Sequence, residues 1–191
     1  MRGEDAMMQV VIDGIPLTTN QTRIYAPLLP VNIIESADLL RGSLDPEYGV
    51  AMSGILNVTT RSGFDEPMFG GAEYGLASDN TRSASADLGG HIGQRAAYYV
   101  AGGAFSGDRY LDPVSGFAPN HTAGSGRDGF AKVNVIASDK LDIVALGYYG
   151  QTELGIPNHF IASTQDQTAT LTSSVAGLRM NYSVSDGAAM S

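Results

Sequence analysis

The 191-residue sequence predicts a mainly β protein in two parts, and two observations favour this class. Residues 1–66 read as a mixed α/β segment, and residues 67–191 as antiparallel strands of a transmembrane β-barrel. In the second part, segments of about ten residues alternate between apolar and polar side chains, as half-buried strands do. The connections between these segments also follow a pattern, in which both long ones fall at the same end of the predicted sheet. The sequence has 24 Gly and no Cys, which excludes disulfide frameworks and thiolate sites.

Short elements separated by turns are predicted in residues 1–66. The first strand ends at Asp13-Gly14, a dipeptide typical of turns. The last strand is rich in β-branched side chains, which favour extended structure. The expected elements are a strand at 9–12, a short apolar segment at 36–41, a helical turn at 45–49 and a strand at 55–60.

The connections in residues 67–191 predict the orientation of the strands. Six strands are expected, at about 68–78, 81–92, 96–107, 129–137, 141–152 and 168–184. Consecutive antiparallel strands place alternate connections at opposite ends of a sheet. The second and fourth connections are tight and share one end, whereas both long loops lie at the other. Outer-membrane β-barrels have this asymmetry.

A soluble β-sandwich would also alternate, so the periodicity leaves two classes open. A membrane barrel has an apolar outer face, whereas a sandwich has an apolar core and a polar outer face. The longest apolar run is about ten residues, and a membrane helix needs about 20. In the barrel, aromatic residues near the strand ends are expected to form belts at the membrane surfaces. These are Phe69, Tyr98, Phe105, Phe130, Tyr148, Tyr149 and Tyr182.

Several kinds of chemistry are not expected. The formal net charge of −9 disfavours nucleic acid as a partner. The histidines are too far apart in sequence to suggest a metal site. The stretch Gly124–Gly129 matches G-x-G-x-x-G, but a strand rather than a helix follows it. We therefore expect a flexible glycine loop at these residues. Taken together, these observations predict neither enzyme activity nor a bound cofactor.

Ligand contacts are expected in the two long loops, because loops on a rigid scaffold commonly carry recognition. The first loop mixes charged and aromatic side chains, and each loop contains one histidine. The candidates for ligand contact are Arg109, Tyr110, Phe117, His121 and His159.

An ordered set of motifs in the first part resembles the plug domain of TonB-dependent outer-membrane receptors. The set runs Val-Ile-Asp-Gly-Ile-Pro at 11–16, Ile-Glu at 34–35, Leu-Leu-Arg-Gly at 39–42, Glu-Tyr-Gly at 47–49 and Ser-Gly-Ile-Leu-Asn-Val-Thr-Thr-Arg-Ser-Gly at 53–63. The sequence departs from the family pattern at 36–38, at Ser43 and at Gly54, where many members have two glycines. These departures affect the assignment to a subfamily and not the resemblance to the family.

The resemblance implies structural roles for eight residues of the plug motifs. The glycines would supply turns or close backbone approaches. Asp13 is expected to bond backbone amides in its own turn, and Asn57 to bond a neighbouring loop. The eight residues are Asp13, Gly14, Arg41, Gly42, Tyr48, Gly49, Gly54 and Asn57.

The resemblance also implies a function. Members of this family have a larger plug inside a barrel of about 22 strands. Residues 1–66 would be the C-terminal part of the plug, and residues 67–191 the first six or so strands. The intact receptor would take up a scarce ligand (siderophore, cobalamin or glycan) across the outer membrane of a Gram-negative bacterium. Its partners would be membrane lipid and TonB, which would contact a segment absent here. The alternative is a soluble secreted β-rich binding or adhesion module.

Overall fold

A computed structural model describes residues 8–16, 30–40, 54–111, 121–157 and 167–183. Within these ranges the chain forms two β-sheets and one 3-10 turn, Val31–Ile33. No helix in the described residues is long and apolar enough to cross a membrane. The prediction of a mainly β chain is confirmed. The helical turn expected at 45–49 lies outside the described residues, so the α/β character of the first part stays a prediction.

The small sheet contains four strands in the order β2-β1-β4-β3. β1 runs parallel to β4, and β3 runs antiparallel to it. Of the segment predicted at 36–41, residues 36–40 belong to a strand that begins two residues earlier. The bounds are β1 Met8–Ile12, β2 Ile15–Pro16, β3 Ile34–Leu40 and β4 Gly54–Thr60.

The turn between β1 and β2 follows directly from its two residues. Asp13 and Gly14 have φ angles of 49° and 76°. Two successive residues with positive φ form a type I′ turn, whose twist matches that of the flanking strands. Asp-Gly is one of the few pairs that adopt this turn at low cost, so the sequence motif sets the hairpin.

The large sheet contains six strands in the order β10-β9-β8-β7-β6-β5, all antiparallel to their neighbours. All six lie where the sequence predicted strands. Two turns, 93–95 and 139–140, lie at one end, which we call the tight-turn end. The bounds are β5 Met68–Leu76, β6 Arg82–Ile92, β7 Ala96–Gly107, β8 Gly124–Ser138, β9 Leu141–Gly155 and β10 Thr168–Tyr182.

One expectation about β8 is wrong. Residues 124–129 do not form a glycine loop, because they are the first six residues of β8. They pair with β7 on one side and with β9 on the other. Ladder hydrogen bonds on both sides outweigh the low strand propensity of glycine, which is a tertiary effect that local sequence does not reveal.

The strand register divides the large sheet into two faces. Tyr99 pairs with Lys132, which pairs with Leu146, and all three are buried on the face toward the small sheet. Residues one position away point to the opposite, outward face. That face exposes large apolar side chains on all six strands. They include Met68, Tyr74, Leu76, Leu88, Ile92, Val100, Val133, Tyr149, Leu178, Met180 and Tyr182.

The hydrophobic core lies between the two sheets. Four residues of the first part, Val10, Ile12, Ile33 and Val58, pack against four inward residues of the large sheet. Those four are Tyr99, Phe130, Leu146 and Tyr148.

The membrane-belt prediction is therefore wrong for Phe130 and Tyr148, which are buried in the core. It is also wrong for Phe69 and Phe105, which share the inward face. Phe69 stacks on Tyr99 with ring centroids 5.9 Å apart. Strand phase, rather than nearness to a strand end, decides which face an aromatic side chain takes.

Candidate functional site: the interface between the sheets

A buried ionic cluster joins the two sheets and consists of Asp13, Thr60 and Lys132. The Lys132 ammonium, from β8, lies 3.1 Å from Asp13 Oδ2 in the β1–β2 turn, and each side chain is 6% exposed. Thr60 ends β4 and lies between them. Its hydroxyl donates to Asp13 Oδ2 at 2.6 Å and accepts from Lys132 Nζ at 3.0 Å.

Each charged atom of the ionic cluster has a partner. The third Lys132 donor reaches the Thr60 carbonyl oxygen at 3.1 Å, and Asp13 Oδ1 accepts the Thr60 backbone N–H at 3.0 Å. Desolvation costs several kcal/mol for each buried ion, and full hydrogen bonding is what offsets it. The Asp13 carboxylate thus bonds β4 and β8, whereas the motif suggested bonds within its own turn. The cluster holds the small sheet to the large one while both charges are present.

A second set of contacts lies beside the first. Arg61, just after β4, pairs with Asp87 on the inward face of β6 at 3.7 Å. The Tyr99 hydroxyl donates to the carbonyl oxygen of Asn32 at 3.3 Å. Gly63 is buried against β6 and β7, and a Cβ there would lie 2.5 Å from the Gly90 carbonyl oxygen. Only glycine allows the chain to approach the sheet so closely at this position.

A cavity of about 640 Å³ opens between the sheets beside the ionic cluster. It lies toward the tight-turn end, since its large-sheet residues come from the ends of β8, β9 and β10 nearest those turns. Its wall is mainly polar and includes Asn57, Thr59, Asn134, Arg179 and Asn181. The backbone of Gly14 supports the Arg179 side chain, with Arg179 Cδ 3.3 Å from where a Cβ would lie.

At the other end of the large sheet, which we call the loop end, hydrogen bonds order the base of the first long loop. The Tyr110 backbone N–H donates to the Thr122 carbonyl oxygen at 2.7 Å, and the Thr122 hydroxyl donates to the Asp108 carbonyl oxygen at 2.8 Å. The Tyr110 ring stacks on Phe105 with centroids 5.1 Å apart. This brings Arg109, Tyr110 and His121 to one end of the large sheet.

The structure describes some of the residues that the sequence singled out. Asp13, Gly14 and Asn57 meet at the cavity, and Gly54 begins β4. Arg109, Tyr110 and His121 lie at the loop end of β7 and β8. Their proposed roles stay predictions. The remaining candidates lie outside the described residues: Arg41, Gly42, Tyr48, Gly49, Phe117 and His159.

Sequence reasoning missed Lys132 and Arg179, although a signal existed for both. Each is a cation at a position that the alternation assigned to the polar face of a strand. In a barrel with a covered inner face, such a residue must find an interior partner. Within the described ranges, no group of three or more His, Asp and Glu residues is arranged to hold a metal ion.

Comparison with solved structures supports the fold. The FrpB iron transporter from Neisseria meningitidis, in its apoprotein form, matches with a TM-score of 0.71 and 16% identity, over 95% of this chain and 30% of that one. A mutant of the ferric enterobactin receptor PfeA from Pseudomonas aeruginosa, in complex with enterobactin, matches with a TM-score of 0.63 and 13% identity, over 92% and 31%. Both are TonB-dependent receptors.

The chain has the fold of part of a TonB-dependent receptor. It spans about 30% of the length of these two structures. No family model matches the chain. The fold that the plug motifs implied is thus supported by structural likeness, at sequence identities too low to transfer a ligand.

Proposed function

We propose that this chain is part of an outer-membrane receptor that takes up a scarce ligand with energy supplied through TonB. In this proposal the first part, residues 1–66, belongs to the plug, and residues 67–191 form part of a barrel wall of about 22 strands. The ligand is a siderophore, a cobalamin or a glycan. The protein changes no covalent bond.

The observation that carries the proposal is the arrangement of the two sheets. The small sheet covers part of the inward face of the large sheet, and apolar side chains such as Leu88, Val100 and Leu178 are exposed on the outward face. A soluble module would expose this band to water, at the cost of its hydrophobic free energy. Lipid accepts the same band without that cost, which favours the outer membrane of a Gram-negative bacterium.

In the proposed receptor the ionic cluster has a mechanical role. TonB would draw the plug away from the wall. The contact between Lys132 and Asp13 resists that movement, because separating the two residues leaves both charges in a poorly solvated interface. The contact between Arg61 and Asp87 is longer and more exposed, so it resists less.

The loop end is the proposed entrance for the ligand. Tyr110 is half exposed and stacked on an inward-facing Phe105, so its ring lies over the interior of the wall. Arg109 and His121 belong to the same ordered base. An aromatic ring beside a cation suits a planar or anionic ligand.

The test is uptake by a deletion strain that carries the full-length gene, in TonB-positive and TonB-negative backgrounds. Growth is scored on limiting iron with single siderophores, on limiting cobalamin and on single glycans. Restored growth on one of these nutrients, only with TonB, supports the proposal. Growth that does not depend on TonB would contradict it. Detergent-free, monodisperse behaviour of the full-length protein would favour the soluble alternative.

A further inference from the structure

We infer that the cavity at the tight-turn end is a binding site for a small oxyanion, a carboxylate or a phosphate, held by Arg179. This site goes beyond the proposed transport function. Its argument depends on charge, on hydrogen-bonding groups and on shape, and each is visible at the interface between the sheets.

The charges that line the cavity do not balance. Its charged wall residues are Lys132, Arg179 and Asp13. The Asp13 carboxylate forms its ion pair with Lys132, with Nζ 3.1 Å from Oδ2. The Arg179 charge therefore has no counter-ion among the residues of the cavity wall. Asp142 lies on the same face, opposite Asn181, but within the described residues no ion pair joins it to Arg179. The cavity thus has an excess positive charge at a defined position.

Arg179 also has unused hydrogen-bonding capacity. Its Nε atom is buried and makes no hydrogen bond to any described residue. A buried unsatisfied donor costs about 1–3 kcal/mol, and more when the group is charged. A guanidinium is a planar fork of N–H donors that matches the two oxygens of a carboxylate or a phosphate. A cation without a counter-ion therefore favours an oxyanion over a neutral ligand.

The rest of the wall suits the same ligand. Asn57, Asn134 and Asn181 provide amide donors, and Thr59 provides a hydroxyl donor. These residues come from both sheets, so an anion bound here would contact the small sheet and the wall together. A volume of about 640 Å³ lies within the usual range of small-molecule sites.

The Asp13-Gly14 turn lies against the guanidinium of Arg179. Gly14 has a φ of 76°, and the Arg179 Cζ atom lies 3.3 Å from where its Cβ would be. A larger residue would push the guanidinium out of place. The Asp-Gly turn thus makes two separate contributions: its aspartate binds Lys132, and its glycine gives Arg179 room.

The experiment measures anion binding by the full-length receptor purified in detergent. Inorganic phosphate and acetate are titrated separately by calorimetry, in a buffer that contains neither. We expect saturable binding of at least one anion, and Arg179→Gln should weaken it at least tenfold. The relative affinities of the two probes identify the preferred oxyanion. Arg95→Gln is the matched control, since Arg95 lies in an exposed turn at the same end, and we expect affinity within twofold of wild type.

A second variant keeps the inference testable if Arg179→Gln does not fold. Asn134→Ala removes one amide donor from β8, and we expect it to weaken binding several-fold while leaving Arg179 in place. The inference is overturned if the wild-type receptor binds neither anion. That result is expected if a carboxylate from another part of the receptor occupies the site. The inference is equally overturned if both variants bind as wild type does. Because the assay is done without cells or TonB, its result is independent of whether the receptor transports anything.

Discussion

The inward face of the large sheet buries a lysine, whereas its outward face exposes valine, leucine and methionine. The two faces alternate along the same strands, so Lys132 and Val133 are neighbours in sequence with opposite surroundings. Lys132 has protein partners for all its donors. Val133 has 46% of its surface exposed. Burial here depends on what covers each face, because the small sheet covers one face only.

The largest expected effect comes from removing the buried cation. Lys132→Met leaves the Asp13 carboxylate buried without its counter-ion, and we expect the free energy of unfolding to fall by about 3–5 kcal/mol. Denaturant unfolding of the full-length receptor measures this. In the double variant with Asp13→Asn, at least half of the loss should be recovered. A single-variant loss below about 1 kcal/mol would show that the ionic cluster contributes little.

A charge on the outward face should have the next largest effect. Val100 lies on β7 in the middle of the exposed apolar band, so Val100→Arg should cost about 2–4 kcal/mol in lipid vesicles. Thr172→Arg is the control, because Thr172 lies on the same face nearer the loop end and should cost at most about 1 kcal/mol. If the Val100 variant is within about 0.5 kcal/mol of wild type, this face does not contact lipid.

Substitutions at two glycines test how much space lies beside each face of the large sheet. Gly177 is on the inward face of β10, where an added Cβ would lie 2.6 Å from Ile15 Cδ1 of the small sheet. Gly129 faces outward, with no atom within 4 Å of that position. We expect Gly177→Val to cost about 1–3 kcal/mol by overpacking, and Gly129→Val to be neutral or stabilising. Unfolding free energies of both variants decide this, and equal costs would contradict the assignment of faces.

The smallest effect is expected at the exposed ion pair. Arg95 and Asp139 lie 3.3 Å apart in the two tight turns, with 65% and 93% of their side chains exposed. Solvent and salt screen such pairs, so Arg95→Ala should change the free energy of unfolding by no more than a few tenths of a kcal/mol. The contrast with Lys132→Met then measures what burial adds to an ion pair. A loss above about 1 kcal/mol would mean that the turns are coupled to the interface.

Local sequence is enough to place the six strands of the large sheet approximately. Alternation located five strands of the large sheet, because a half-covered strand must alternate whatever surrounds it. The strand at 96–107 is apolar on both faces, so its length and the turn before it predicted it. The Asp-Gly turn is equally local, since two positive φ angles exclude most residue pairs. The motifs between residues 11 and 63 also indicated the receptor fold, and most of their described residues fall on the turn and the strands of the small sheet.

The roles of individual side chains, in contrast, depend on tertiary packing. Phe130 and Tyr148 were expected in membrane belts, but the small sheet covers their face and buries them. Residues 124–129 have the composition of a loop, yet strands on both sides supply hydrogen bonds that make them part of β8. The partners of Asp13 and Arg179 depend on segments far apart in sequence, and nothing local encodes which cation reaches the carboxylate and which is left facing the cavity. Long-range packing selects these contacts, because the free energy of a charge depends on everything that surrounds it.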